Sequence, residues 1–236
     1  MTVRYHARMN DEVRAPSRRE RLRIQTLREI EDASFAIIDA DGVHALSFAA
    51  LARSMAMSAP AIYRYFPSRE ALLAHLITLS YQHLATAMAD AVGGSRRDPR
   101  AKVKLIVAAY REWALRYRRR YGMLFGERNP GLPGDDGTAL NQAMGLLVDL
   151  LVAVQGAKPA ETTSGDRTLD GQLRVWAQVQ QRPGTTPKAG AAAILIWTRV
   201  HGIVSLELTG VIDGSAVDAQ RLIDLEISAT IRLLEP

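Results

Sequence analysis

Apolar positions along the chain recur at intervals of three and four. Leu27, Ile30, Ser34 and Ile37 do so near the start, and Leu73, Ile77, Leu84 and Met88 follow inside a longer apolar stretch. That spacing lines one face of an α-helix. No pair of alternating apolar and polar segments flanks a short turn, so no hairpin is predicted. Breaks fall at Asp41-Gly42, Phe66-Pro67 and Gly93-Gly94, across residues 129–137 and 158–167, and from Arg182 to Pro187. The pattern predicts an all-α fold of about eight to ten helices without internal repeats. The glycine-rich 129–137 segment lacks phosphate-loop spacing and reads as a connector.

Between Gly42 and Leu73 the elements become short. A first helix from about Ser17 to Ala40 ends at Gly42, which can adopt the left-handed conformation favoured at helix ends. Ser47 caps a helix from Phe48 to Met55, and Ser58 caps another from Ala59 to Tyr65, with Pro60 tolerated in its first turn. Pro67 stops that helix. Ser68 caps a long fourth helix, with Glu70 favoured near its positive end. Two short capped helices joined by a tight turn make a helix-turn-helix.

The segment from Ser47 to Leu73 resembles the DNA-binding signature of TetR-family transcriptional regulators. Its carriers are Leu51, Ala52, Ser58, Ile62, Tyr63, Tyr65, Phe66, Ser68, Arg69, Glu70 and Leu72. Ala56 and Met57 stand where the family usually has glycine and valine, which predicts a slightly altered turn. Arg69 replaces the commoner lysine and keeps its charge.

The third helix offers Ala59, Pro60, Ala61 and Arg64, so Arg64 is the expected base reader through bidentate pairing with guanine. The small apolar tip can touch thymine methyls or follow groove shape. Ser47, Phe48, Tyr63, Tyr65 and Arg69 are expected at the phosphates, where contacts fix register, and Ser58 at the turn is expected at the DNA as well. Arg14, Arg18, Arg19 and Arg21 form an expected basic arm along phosphates or in the minor groove. The domain reading is an arm over residues 1–16, a DNA-binding domain over 17–66 and a ligand-binding and dimerisation domain over 67–236.

Farther along, Trp197, His201 and Gly202, continuing through Ser205, Leu206, Glu207, Leu208 and Gly210, are similar to the Trp-His-Gly segment of one TetR C-terminal type. Ile194, Trp197, His201, Val204 and Leu208 make a narrow seam suited to helix packing, and mid-helix Gly202 suggests close approach of another helix. A last helix from about Ala216 to Leu234 carries Ile223, Ile227, Thr230 and Leu234. These two helices from each subunit are expected to build a four-helix dimer interface, with His201 satisfied inside it. The family resemblance also implies a ligand pocket. Tyr110, Trp113, Tyr117, Met123, Phe125, Met144, Leu147 and Trp176 are its nominated walls, and their composition suggests a largely apolar ligand. His75 and His83 share a helix face without a third metal ligand nearby, so neither a metal nor any other cofactor is expected.

Charge changes the picture in one respect. The 30 basic and 25 acidic residues leave a formal +5, and residues 96–120 alone hold 10 basic against 2 acidic side chains, whereas residues 121–236 hold 9 against 13. A polyanion should therefore meet the first half. Arg118, Arg119 and Arg120 read either as a solvated helix end or as a basic patch beside the DNA-binding domain. The absence of cysteine excludes disulfides and thiol chemistry and fits a reducing cytosol. The first residues do not resemble a secretory leader, and no stretch approaches about 18 consecutive apolar residues, so a cytoplasmic protein without membrane contact is expected. An enzyme on a helical scaffold finds no support: no nucleophile elbow, zinc-protease motif or phosphate loop occurs, and Asp135-Asp136 falls in a loop. The expected function is a homodimeric repressor on a palindromic double-stranded operator, released by a small-molecule effector. Activation, or a DNA-binding domain reduced to a relic, are the alternatives.

Overall fold

A computed structural model describes residues 17–126, 138–156, 162–212 and 216–234. The described residues contain no strand and ten α-helices, α1 (Arg18–Asp41), α2 (Phe48–Ser54), α3 (Ala59–Tyr63), α4 (Arg69–Asp90), α5 (Pro99–Arg116), α6 (Arg118–Phe125), α7 (Thr138–Gln155), α8 (Arg167–Val179), α9 (Pro187–Leu208) and α10 (Ala219–Arg232). A 3₁₀ turn at Val43–Ala45, which periodicity does not signal, joins α1 to α2. The arm expected over residues 1–16, including Arg14, and the 129–137 connector lie outside the described residues.

Caps account for most helix starts. Ser17 and Glu20 form a reciprocal capping box at α1, and Ser47, Ser68 and Asp98 accept from the amides of Ala50, Ala71 and Ala101 at 3.0–3.1 Å. Each satisfies an amide that has no acceptor within its helix. Ser58 departs from the expectation: it occupies the N-cap position of α3 but makes no capping hydrogen bond. The helix it begins ends at Tyr63 rather than Tyr65, because the amides of Tyr65 and Phe66 both turn back to the carbonyl of Ile62. Asp218 caps α10, so that helix starts at Ala219 rather than near residue 216.

The buried apolar side chains form two cores. Ile30 and Ile38 of α1, Phe48 and Leu51 of α2, Ile62 of α3 and Leu72, Leu73 and Leu76 of α4 make the first. Leu84 and Met88 of α4, Val103, Ile106 and Tyr110 of α5, Leu147 and Leu151 of α7, Ile196, Val200 and Val204 of α9 and Ile223 and Ile227 of α10 belong to the second. Helix α4 therefore contributes its first half to one core and its second half to the other. Helix α6 also touches both, through Met123 on the first and Leu124 and Phe125 on the second. By length and composition α9 could cross a membrane, but it packs on α5, α7, α8 and α10 and buries Ala189, Ala193, Ile196, Val200 and Val204 in the second core or beside it.

Candidate DNA-binding face and effector site

The helix-turn-helix is built on the apolar faces of two short helices. Phe48, Leu51 and Ala52 of α2 and Ile62 of α3 point inward. Between the helices Ala56 adopts φ 51°, and the Met57 amide closes the turn on the Ala52 carbonyl at 2.9 Å. An alanine thus holds a left-handed conformation that glycine adopts freely, at a cost of roughly 1 to 2 kcal/mol.

On the opposite side of α3, Pro60, Tyr63 and Arg64 are exposed, with Ala59 and Ala61 half-buried beside them. The Tyr63 ring meets Phe48 edge to face at 4.8 Å while 56% of the residue stays exposed, so its position is fixed and its hydroxyl is presented outward. Arg64 is the C-cap of α3. Tyr65 is half-buried and packs against the first core. Ser47 caps α2 through its hydroxyl oxygen, which leaves its O–H free to donate. Ser58, without a capping bond, is exposed.

Four residues nominated for DNA contact stand differently from their expectation. Phe48 is only 8% exposed, so its side chain is core and only its backbone amide, at the start of α2, can face a phosphate. The Arg69 guanidinium turns inward: Nε donates to the Leu46 carbonyl at 2.7 Å and Nη2 to the Val43 carbonyl at 2.8 Å. It fastens the start of α4 to the 3₁₀ turn and leaves Nη1 for any outside partner. Arg18 and Arg19 do not precede the first helix but lie in its first turn, where residues 17–25 are all exposed. Arg21 and Arg23 continue that exposed basic turn, and Arg23 was not anticipated.

Arg120 links the two cores. Its guanidinium pairs with both carboxylate oxygens of Asp39 on α1, with Nε at 3.0 and 3.1 Å, and lies 4.0 Å from the centre of the Phe35 ring and 4.6 Å from that of Tyr117. Of the Arg118–Arg120 run, Arg120 is the member paired with α1. It is neutralised there, while Arg118 and Arg119 remain exposed.

In the second core, aromatic and polar side chains from α5, α6 and α9 converge. The Tyr110 hydroxyl lies 2.8 Å and the Tyr121 hydroxyl 3.0 Å from Nδ1 of His201, and Tyr121 also reaches Oγ of Ser205 at 2.7 Å. Trp197 and Tyr121 stack beside the imidazole, and Phe125 meets its edge at 4.8 Å. Burial holds the His201 pKa below its ordinary value and pushes that of Tyr110 up. The imidazole is therefore neutral near pH 7, with Nδ1 within hydrogen-bond distance of both hydroxyls. Trp113, Tyr117 and His83 form an adjoining group in which the indole N–H donates to His83 Nδ1 at 3.3 Å.

The nominated pocket walls accordingly separate. Tyr110, Trp113, Tyr117 and Phe125 belong to these two groups, and Met144 and Leu147 are buried in the same core. Met123 packs instead with the DNA-binding core, and Trp176 lies against Gly190 at the α8–α9 contact. Tyr121 and Ser205 complete the polar chain, and no spacing signal singles them out.

The expected dimer seam is corrected more deeply. Val204, Ile223, Ile227, Thr230 and Leu234 are at most 4% exposed and face the subunit's own core. Trp197 and His201 point into the aromatic group, Ile194 is half-buried and half-buried Leu208 packs on the second core. The stripe is a seam, but α5, α7 and α10 of the same chain occupy it. Gly202, where close approach of another helix is expected, faces open space among the described residues: a Cβ added there would meet nothing within 4 Å. A second stripe on the outside of α9 and α10 carries Leu206, Leu225 and Leu233, each 47–60% exposed. Bidentate pairing of Arg111 on α5 with Glu207 on α9, at 2.5 and 2.8 Å, ties these helices together behind that surface.

Comparison with known proteins accords with this layout. Residues 30–76 match the family described as bacterial regulatory proteins, tetR family, and residues 103–230 match the tetracyclin repressor-like, C-terminal domain. The crystal structure of the regulatory protein SCO4313 superposes with a TM-score of 0.74 at 32% identity, covering 94% of this chain and all of that one. The HTH-type transcriptional regulator Rv1816 of Mycobacterium tuberculosis is 29% identical over 182 residues, which are 72% of this chain and 74% of its own. The transcriptional regulator FadR of Bacillus subtilis, solved in complex with stearoyl-CoA, shares the fold at 16% identity with a TM-score of 0.52, covering 87% of this chain and 97% of that one.

Proposed function

Because the chain belongs to the TetR family of transcriptional regulators, we propose that it is a cytoplasmic, homodimeric repressor that occupies a near-palindromic operator and leaves it when a small, largely apolar ligand enters the aromatic group around His201. The observation that carries the reading is the exposed α3 surface. Pro60, Tyr63 and Arg64 are presented to solvent by a helix whose other side is pinned by fully buried Ile62. Arg64 reads a base, Tyr63, Ser47 and Ser58 hold phosphates, and Ala59, Pro60 and Ala61 admit the helix closely to the groove floor. The arginines in the first turn of α1 oppose that helix's own dipole, which favours anions there. A phosphate backbone beside them removes the conflict.

Two recognition helices must enter successive major grooves about 34 to 36 Å apart. The pairing surface we assign is the outward stripe of Gly202, Leu206, Leu225 and Leu233, where bare Gly202 admits a partner helix at close range. The DNA-binding domain then spans about residues 17–66, with the ligand-binding and dimerisation domain beyond it. The neutral His201, with Trp197, Phe125 and the Tyr110 and Tyr121 hydroxyls, supplies one polar point within an apolar surround, the usual composition of a small-molecule site. The stearoyl-CoA seen in FadR is in keeping with an apolar ligand.

Selection of bound duplexes from a random pool, repeated with Arg64→Ala, tests the reading. A two-fold symmetric site should emerge, and the variant should relax one base position in each half at a cost of about 1 to 3 kcal/mol. Uniform, salt-sensitive binding with no enriched site would refute it.

A further inference from the structure

Between the two cores lies a cleft of about 510 Å³ lined by Asp32, Phe35, Ala36 and Asp39 of α1, Leu79 and His83 of α4 and Arg120 of α6. Its size is that of a small-molecule site. It lies outside the Tyr110–Tyr121–His201 group and is not used by the function proposed above. Its lining holds two carboxylates and one guanidinium. Arg120 already shows how a cation is held there, flat on the Phe35 ring and paired with Asp39. Asp32, seven residues earlier on α1 and roughly 10 Å along the helix, is exposed and forms no ion pair of its own among the described residues. His83 adds no opposing charge, because burial and the charges of Arg120 and Arg116 hold its pKa below the ordinary value.

We infer that this cleft is a second small-molecule site, selective for a compact organic cation with a flat apolar body. The cationic end pairs with Asp32, and the body lies on Phe35, Ala36 and Leu79 beside Arg120. A neutral molecule of the same shape would leave the Asp32 carboxylate unmatched, and an anion would be repelled by it. Such a ligand would touch α1, α4 and α6 together.

Benzamidine, a planar amidinium, is the probe, with benzamide as its neutral counterpart. Binding to the full-length protein is followed by calorimetry or by shifts of amide resonances. Benzamidine should bind saturably and perturb residues of α1, α4 and α6. Asp32→Asn, a change at an exposed position, should weaken it about fivefold, the upper range for one ion pair of this exposure. Tyr121→Phe should leave it unchanged, which separates this cleft from the aromatic group. Equal affinity for benzamide, no effect of Asp32→Asn, or no saturable binding would each overturn the assignment.

Discussion

Removing the Arg120 side chain tests whether the two cores are mechanically joined. The guanidinium is 13% exposed and Asp39 35% exposed, so the pair is neither a free surface contact nor fully dry. A bidentate bond of that kind contributes about 1 to 1.5 kcal/mol. Stacking on Phe35 and Tyr117 adds roughly 0.5 to 1 kcal/mol. Arg120→Ala should therefore destabilise the protein by about 2 kcal/mol, and Arg120→Lys, which keeps the charge but loses the fork and the flat stacking face, by about 1 kcal/mol. Asp39→Asn alone should cost somewhat less, because the amide still accepts one bond. The informative measurement is the double-mutant cycle by urea unfolding at fixed protein concentration, where Arg120→Ala and Asp39→Asn should show a coupling of about 1 kcal/mol. The same variants should lose part of the effector's influence on operator affinity, typically worth about 1 to 3 kcal/mol in such proteins. Strict additivity of the two substitutions, together with an unchanged effector response, would refute the clasp.

Three further outcomes follow from the same reasoning. Arg69→Ala should cost about 2 kcal/mol by stripping partners from the Val43 and Leu46 carbonyls, and hydrogen exchange should speed up in the DNA-binding domain before the second core. Gly145→Ala would place a methyl where the Arg182 guanidinium lies, expelling it from its 2.7 and 3.0 Å bonds to Asp149. A thermal melt should fall by a few degrees, and Arg182→Ala should make the second change nearly neutral. Unfolded His201 takes up a proton near its ordinary value while the folded imidazole resists it, so protons favour unfolding. Stability should be full above about pH 6.5 and fall as pH drops toward the lower folded value, and His201→Gln should flatten melts recorded between about pH 7.5 and about pH 5.5.

The DNA-binding domain was legible because its signals are local. Ser47, Ser68 and Pro67 mark helix ends within a few residues of what they cap or stop, and Phe48, Leu51 and Ile62 lie inward by simple periodicity. Partnerships between distant residues were not legible. The Tyr110–His201 and Arg111–Glu207 contacts bridge 91 and 96 residues, and nothing near either residue announces the other. Arg69 was read by its charge, whereas its geometry made it a clamp on two carbonyls. Of the stripe through Ile194, Trp197, Val204 and Leu208 only Val204 is fully buried, and it faces the subunit's own core. Periodicity says that a face is covered and is silent on whether the cover comes from the same chain.

Helix α4 has a consequence for building hybrids. Its 22 residues, roughly 33 Å long, carry Leu72, Leu73 and Leu76 into one core and Leu84, Ala85 and Met88 into the other. One inserted residue near Ser80 would turn everything before it by about 100° relative to everything after and advance it about 1.5 Å. Each half could still pack, yet each reading helix would be turned out of its phase with the rest of the subunit. Exchanging DNA-binding domains among relatives is therefore a matter of phase: the splice must preserve the residue count along this helix, or the graft yields two sound domains that cannot grip one operator together.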